Sequence, residues 1–242
     1  MYLRSVSLRR EEVASFDVYP YSIPAIRALH SLELDPAVTF FVGENGSGKS
    51  TLVEGIAVAA GFNAEGGSKN FNFASRNTES ELHRHIQLVR GMKRERDGYF
   101  MRAESLYNVA TQVDDLRVGG YGPRSLHAQS HGEAFLALAL HRFRGNGLYI
   151  LDEPEAALSP QRQLSLLVII DQLVRKQASQ LIIATHSPIL IAYPRARIYL
   201  LDAPSGTIET IRYEDTEHYQ ITRDFLTDRG AFLRDLLEGD GN

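Results

Sequence analysis

Gly43-Glu44-Asn45-Gly46-Ser47-Gly48-Lys49-Ser50 decides how this chain is read. The spacing G-x-x-x-x-G-K-[ST] is that of a phosphate-binding loop. Its glycines let the backbone curl until successive N–H groups point at phosphate oxygens. Lys49 sets a positive charge against β- and γ-phosphates, and the Ser50 hydroxyl is a hard oxygen ligand of the kind Mg²⁺ takes. The surroundings agree. Ala37–Val42 is an apolar, β-branched and aromatic run that reads as a buried strand. Thr51–Ala60 reads as the body of the following helix, whose N-terminus favours anions.

A chain of 242 residues accommodates one α/β domain, residues 1–242, and 43% hydrophobic residues suffice for a core. The net charge of −4 gives no general pull toward nucleic acid or anionic membranes, although a local basic patch remains compatible with it. With no cysteine, disulfides and thiolate metal sites are excluded. The first ten residues have no apolar core of the signal-peptide type, and dense apolar stretches such as Leu164–Ile170 are too short to cross a bilayer. The expectation is a cytoplasmic protein without direct membrane insertion.

No internal repeat or low-complexity linker interrupts the chain. The first forty residues read as strands and turns. Residues 61–128 differ in kind and are expected to form a small inserted subdomain. Gly61–Ser80 is rich in Gly, Asn and Ser, Glu81–Arg90 suits a short helix or a strand, and Gly98–Glu104 reads as a strand. The basic run Arg90–Arg96 suits a solvated loop better than a nucleic-acid contact. From Ser130 onward the order is helix (Glu133–Arg144), strand (Leu148–Leu151), helix (Ser159–Lys176), strand (Gln180–Thr185) and a short helix, which implies βαβ units and a parallel sheet. Two short strands and a terminal helix, Phe225–Leu237, close the chain.

The second half supplies candidate chemistry. In Leu148-Tyr149-Ile150-Leu151-Asp152-Glu153-Pro154, four apolar residues run into two acids. A buried strand thus delivers Asp152 at its C-terminal end, where parallel sheets bind ligands. Asp152 is placed to hold Mg²⁺, and Glu153 to orient or deprotonate an attacking water. Ile182-Ile183-Ala184-Thr185-His186-Ser187-Pro188 is another apolar strand ending in a polar residue, with His186 able to hydrogen-bond a γ-phosphate. Ser130, followed three residues on by Glu133 and an apolar helical run, forms an anion-binding helix start, or simply a capping box.

In this order the motifs resemble those of the ATP-binding-cassette (ABC) superfamily of ATPase domains. The resemblance covers roughly residues 37–60 and 126–195. Gly43–Ser50 matches the Walker A loop, with Thr51 beginning the helix behind it. Leu148–Asp152 matches Walker B, Glu153 the glutamate that follows it, and His186 the switch histidine. Ser130-His131-Gly132-Glu133 matches the signature motif, with Gln129 where leucine is usual, His131 in place of its first glycine and Glu133 in place of glutamine. The Ser-x-Gly-Glu form is closer to the chromosome-maintenance and DNA-repair branch than to the transporters. Glu155-Ala156-Ala157-Leu158-Ser159 matches the D-loop, with Ser159 where aspartate is common.

The resemblance implies a P-loop fold of ABC type: a mostly parallel sheet flanked by helices, with an N-terminal antiparallel part. It also implies hydrolysis of ATP with Mg²⁺. Gly43, Glu44, Asn45, Gly46, Ser47, Gly48, Lys49, Ser50 and Thr51 would bind the nucleotide. Ser130 and Gly132 would cap the γ-phosphate held by a second copy. Ser50 and Asp152 would hold the metal, with Glu153 and His186 as the catalytic pair. The implied partner is a second copy of the chain in an ATP-dependent homodimer, together with an unidentified protein partner or nucleic acid, in DNA repair or defence. The competing readings are the ATP-binding subunit of a membrane transporter and a nucleotide-dependent binding protein that hydrolyses little. For the family's Q-loop glutamine, Gln87, Gln112 and Glu104 are candidates. For stacking on adenine they are Tyr19, Tyr21, Arg9 and Arg10. His83 and His85 read as non-ligands.

Overall fold

The computed structural model describes residues 1–69, 80–104 and 126–238. The elements in chain order are β1 (Leu3–Leu8), α1 (Pro24–Ala28), β2 (Ser31–Glu33), β3 (Val38–Val42), α2 (Lys49–Ala59), β4 (Ile86–Arg90) and β5 (Asp97–Arg102). After these come α3 (His131–Arg142), β6 (Gly147–Asp152), α4 (Pro160–Arg175), β7 (Gln180–Ala184) and α5 (Pro188–Ile191). The chain then runs through β8 (Ala196–Asp202), β9 (Thr207–Thr210), α6 (Glu217–Thr227) and α7 (Arg229–Glu238). Glu81–Arg84 and Pro154–Ala157 are single 3₁₀ turns.

Six strands form one sheet in the order β5-β6-β7-β3-β8-β9, parallel except for β9. A second, antiparallel sheet has the order β2-β1-β4. The alternation of side chains along a strand divides the core into two layers. On one face Phe40, Tyr99, Met101, Tyr149, Leu151, Leu181 and Ile183 pack with Phe135 and Leu138 of α3 and Leu166 and Ile170 of α4. On the other, Phe41, Phe100, Leu148, Ile150 and Ile182 pack with Leu52, Val53 and Ile56 of α2 and with Leu3 and Val6 of β1. Strands buried on both faces carry no polar alternation, so these read in sequence as continuous apolar runs.

Gln180 fastens the two sheets together. Fully buried at the start of β7, it accepts from the backbone N–H groups of Tyr2 (2.8 Å) and Leu3 (2.9 Å) and donates to the carbonyls of Leu3 and Asp35 (both 2.8 Å). At the far end of α3, Asp97 accepts from Arg142 (2.7 Å), the Arg144 N–H (3.0 Å) and the Tyr149 hydroxyl (2.8 Å).

The mostly parallel sheet and the N-terminal antiparallel part are as the sequence suggests, with three differences. Within the segment set apart as an insert, residues 86–90 and 97–102 are strands of the two sheets, because their apolar faces are needed to close both layers. The stretch Glu81–Arg90 is neither helix nor strand alone but a 3₁₀ turn followed by β4. The expected terminal helix is two helices, divided at Asp228, whose carboxylate accepts the Ala231 N–H (2.9 Å) and so starts α7 afresh.

The parallel register sets the site. Arg102 lies opposite Asp152, Asp152 opposite Ala184, and Phe41 opposite Ala184. The C-terminal ends of β5, β6, β7 and β3 are therefore level, and the segments leaving them share one edge of the sheet.

Candidate functional site

The loop between β3 and α2 is glycine-dependent at its two ends. Gly43 has φ +145° and Gly48 has φ +98°. A Cβ on Gly43 would lie 2.4 Å from the Leu201 carbonyl oxygen, and one on Gly48 2.7 Å from the Ile23 side chain. Glu44, Asn45 and Gly46 form the exposed crown of the loop, while Ser47 is buried beneath it with its hydroxyl lacking a hydrogen-bond partner. Lys49 is 3% exposed and donates to the carbonyls of Gly43 (2.8 Å) and Glu44 (2.9 Å). Burial lowers the pKa of its ammonium, and the fields of Glu153, Asp152, Glu155 and Glu44 work the other way. The lysine is thus stored on loop carbonyls, surrounded by acids but ion-paired to none of them directly among the described contacts.

Asp152 ends β6 at 5% exposure. Burial raises its pKa to about 6, against the opposing effects of Arg102 and of a hydrogen bond with Ser50. Its Oδ1 is buried without a hydrogen-bond partner. One orphaned carboxylate oxygen beside a serine hydroxyl is a donor set that fits Mg²⁺, which takes few protein ligands and leaves its other positions to phosphate and water. No cluster of three or more His, Asp or Glu suited to holding a metal occurs among the described residues.

Glu153 follows in the left-handed region (φ 49°, ψ 53°), its N–H donating to the Ala184 carbonyl at 3.0 Å. This turn carries its carboxylate away from Asp152 to 3.8 Å from Nε2 of His186. His186 is itself held by Glu155, which accepts its backbone N–H at 2.7 Å and approaches its Nε2 at 3.7 Å. The next residue, Ser187, caps α5 by accepting the Leu190 N–H (3.3 Å) and donates to Gln163 Oε1 (2.5 Å), so the histidine turn is anchored from both sides.

Walker A, Asp152, Glu153 and His186 are therefore brought together. Ser130 and Gly132 sit in a different setting. Ser130 caps α3 in a full capping box with Glu133, and Arg162 of α4 donates to Ser130 (3.1 Å) and Glu133 (3.1 Å). Gly132 is buried, and a Cβ there would meet Arg162 Nη1 at 2.6 Å and the Ala157 carbonyl at 2.9 Å. The capping-box and signature assignments of Ser130 are both compatible with this geometry.

Of the secondary candidates, Glu104 lies just beyond β5, near enough for its charge to raise the pKa of Asp152. Gln87 is on β4 opposite Ser7, within the N-terminal sheet, and Gln112 lies outside the described residues. Tyr21 is buried with its hydroxyl 2.6 Å from Nδ1 of His85. Arg10 covers the Phe16 ring, Arg9 is bonded to Glu12 and the Arg84 carbonyl, and Tyr19 is 66% exposed. His83 bonds the Ser80 carbonyl and His85 the Tyr21 hydroxyl.

Three further residues of the site were not singled out in the sequence. Arg102 and Glu54 form an ion pair (2.7 Å) beside Asp152. His218, at the start of α6, has its ring 5.9 Å from that of His186. Burial lowers its pKa, helped by His186 and Lys49 and opposed by Glu44 and Glu217. Nothing local in the sequence singles out Arg102, Glu54 or His218.

No described helix is long and apolar enough to cross a membrane. Over residues 84–192 the chain matches the family described as "AAA domain, putative AbiEii toxin, Type IV TA system", and over residues 16–114 a second AAA domain family. A Geobacter sulfurreducens protein named as an ABC transporter ATP-binding protein is 23% identical over 176 residues. That match takes in 66% of this chain and spans 63% of the relative's length. Among solved structures, the SMC head domain from Thermotoga maritima is 15% identical, with 88% of this chain and 99% of that one covered and a TM-score of 0.48. The Clostridium perfringens protein cbiO1, part of the ABC transporter complex cbiONQ, is 17% identical, with 87% and 92% covered and a TM-score of 0.48.

Proposed function

We propose that this chain, an AAA-type P-loop ATPase domain consistent with the ABC superfamily, hydrolyses ATP and uses it as a dimerisation switch. The observation that carries the reading is the convergence of Lys49, Asp152, Glu153 and His186 on the level C-terminal ends of β3, β6 and β7.

Each residue then has a task. Lys49 would leave the Gly43 and Glu44 carbonyls for the β- and γ-phosphates, with the loop N–H groups closing around them. Ser50 and Asp152 would hold Mg²⁺, which when bound supplies charge neutralisation to the phosphates. Glu153 would accept the proton of the attacking water. His186, steadied by Glu155, would donate a hydrogen bond to the γ-phosphate and register its loss. Ser130 and Gly132 of a second copy would complete the pocket from the other side, in an isologous pair holding two nucleotides.

The Ser-x-Gly-Glu form of Ser130–Glu133 and the toxin–antitoxin wording of the matched family favour a role in defence or DNA repair. The name of the Geobacter relative favours a second reading, the ATP-binding subunit of a transporter. Co-purification of a membrane permease with the tagged chain would establish that second reading; soluble chains or nucleic acid would establish the first.

The switch is tested with Glu153→Gln. Its amide is nearly isosteric but cannot accept the proton, and losing a general base costs about 10²–10⁴-fold in rate. We expect MgATP binding without turnover and accumulation of a dimer on size-exclusion chromatography. Hydrolysis near the wild-type rate would remove Glu153 from its role. An inactive but strictly monomeric variant at saturating ATP would sink the dimer mechanism.

A further inference from the structure

Arg102, Glu54 and Asp152 form a charge cluster at the edge of the phosphate site, with Asp152 buried and the other two partly so. Arg102 ends β5 directly opposite Asp152 on β6. Its Nη1 donates to Glu54 Oε2 at 2.7 Å, while its Nε lies 3.3 Å from Asp152 Oδ2. The two contacts are unequal. The Glu54 contact is a short, charge-assisted hydrogen bond. The Asp152 contact, to Oδ2, is an ion pair without hydrogen-bond geometry, because Arg102 Nε is buried without a hydrogen-bond partner. The guanidinium can therefore let go of Asp152 and keep its principal partner.

Its place in the helix makes that release consequential. Glu54 is one turn beyond Ser50 on α2, so a single helix face presents the Ser50 hydroxyl to Asp152 and the Glu54 carboxylate to Arg102. The other oxygen of Glu54 accepts the N–H of Ser80 at 3.0 Å, the residue that caps the 3₁₀ turn Glu81–Arg84. A guanidinium and a divalent ion cannot both sit against one buried carboxylate without strong repulsion, since the local dielectric screens little.

We propose that Arg102 is a tethered cation that balances Asp152 while no divalent ion is bound and shifts wholly onto Glu54 when Mg²⁺ takes its place, passing metal occupancy on to α2 and Ser80. The proposal rests on Asp152 being the metal-binding carboxylate. Arg102 is in this sense a positioning residue, and its two partners make opposite demands. Removing Arg102 takes away a competitor of the metal. Removing the charge of Glu54 leaves Arg102 with the Ala64 carbonyl and Asp152 and strengthens the competition.

The test is the Mg²⁺ concentration that half-saturates the fluorescence change of a methylanthraniloyl-labelled ATP bound to the full chain, in wild type, Arg102→Gln, Glu54→Gln and Asp152→Asn. We expect the half-saturating concentration to fall on the order of tenfold in R102Q and to rise in E54Q. If R102Q does not fold, as judged by circular dichroism, the rise in E54Q decides alone. Values within about twofold of wild type in the folded variants, or shifts in the same direction, overturn the proposal, because a merely structural pair would not move them oppositely. Asp152→Asn separates the premise: Mg²⁺ dependence unchanged in that variant overturns the metal assignment itself, and with it the proposal.

Discussion

Glu155 holds His186 by its backbone, accepting the N–H at 2.7 Å, and keeps its carboxylate 3.7 Å from the imidazole Nε2. One acidic side chain thus fixes both the path of the turn after β7 and the electrostatic setting of the ring. The other Glu155 oxygen is buried without a hydrogen-bond partner, so the residue is retained there at a cost in desolvation.

We therefore expect Glu155→Ala to lower the rate of phosphate release by about 10²-fold, the loss typical of a reacting group displaced by an ångström, with nucleotide affinity preserved. Glu155→Gln keeps an oxygen able to accept the His186 N–H and should restore most of the rate. Single-turnover phosphate release beside equilibrium nucleotide binding makes the comparison, and equal losses in both variants would point to charge instead of positioning.

Gly132→Ala should destabilise the chain despite the helical gain of about 1 kcal/mol from alanine. The added Cβ meets the Ala157 carbonyl and the Arg162 guanidinium, and overpacking of this kind costs about 1–3 kcal/mol. Urea unfolding measures the net change. A more stable variant would show that the turn at Ala157 yields easily.

Gln180→Leu removes the four side-chain hydrogen bonds that join Gln180 to the backbone of Tyr2, Leu3 and Asp35, taking this partner from two N–H groups and two carbonyls. We expect a loss of at least about 3 kcal/mol in denaturant unfolding. A loss below about 1 kcal/mol would mean that water replaces the amide at no great cost.

Asp97 carries a definite pH dependence. Burial works to raise its pKa, but the hydrogen bonds from Arg142, the Arg144 N–H and Tyr149 outweigh it and hold the pKa below the ordinary value. A depressed carboxylate stabilises the fold in full above its unfolded pKa of about 3.9, and that contribution is lost as the pH falls through the folded value. Asp97→Asn should cost about 3 kcal/mol near neutrality, with the gap to wild type closing below about pH 4. A constant gap across the acid limb would show that Asp97 acts by shape alone.

What the sequence discloses here follows burial. Val38–Val42, Leu148–Asp152 and Gln180–Ala184 are legible because strands covered on both faces must be apolar throughout, and the acids and the histidine at their ends then stand out. The Ser130–Glu133 pattern is legible as a helix start because a capping box is a local device. Arg102 with Glu54, and Gln180 with Leu3, are not legible in this way. Each partnership joins residues distant in sequence, and nothing local distinguishes an inward-facing glutamine or arginine from an exposed one. The division of the C-terminal helices at Asp228 was within reach, since an aspartate three residues before Ala231 is an ordinary cap.

The left-handed backbone of Glu153 sets activity and stability against one another. A non-glycine residue held at φ 49°, ψ 53° costs roughly 1 kcal/mol that glycine would not incur. If the side chain does the chemistry assigned to it, the substitution that would most relax this turn is also one that would abolish function. A library of variants screened for thermal tolerance alone should drift toward glycine at this position, while one screened for turnover should keep the strained glutamate.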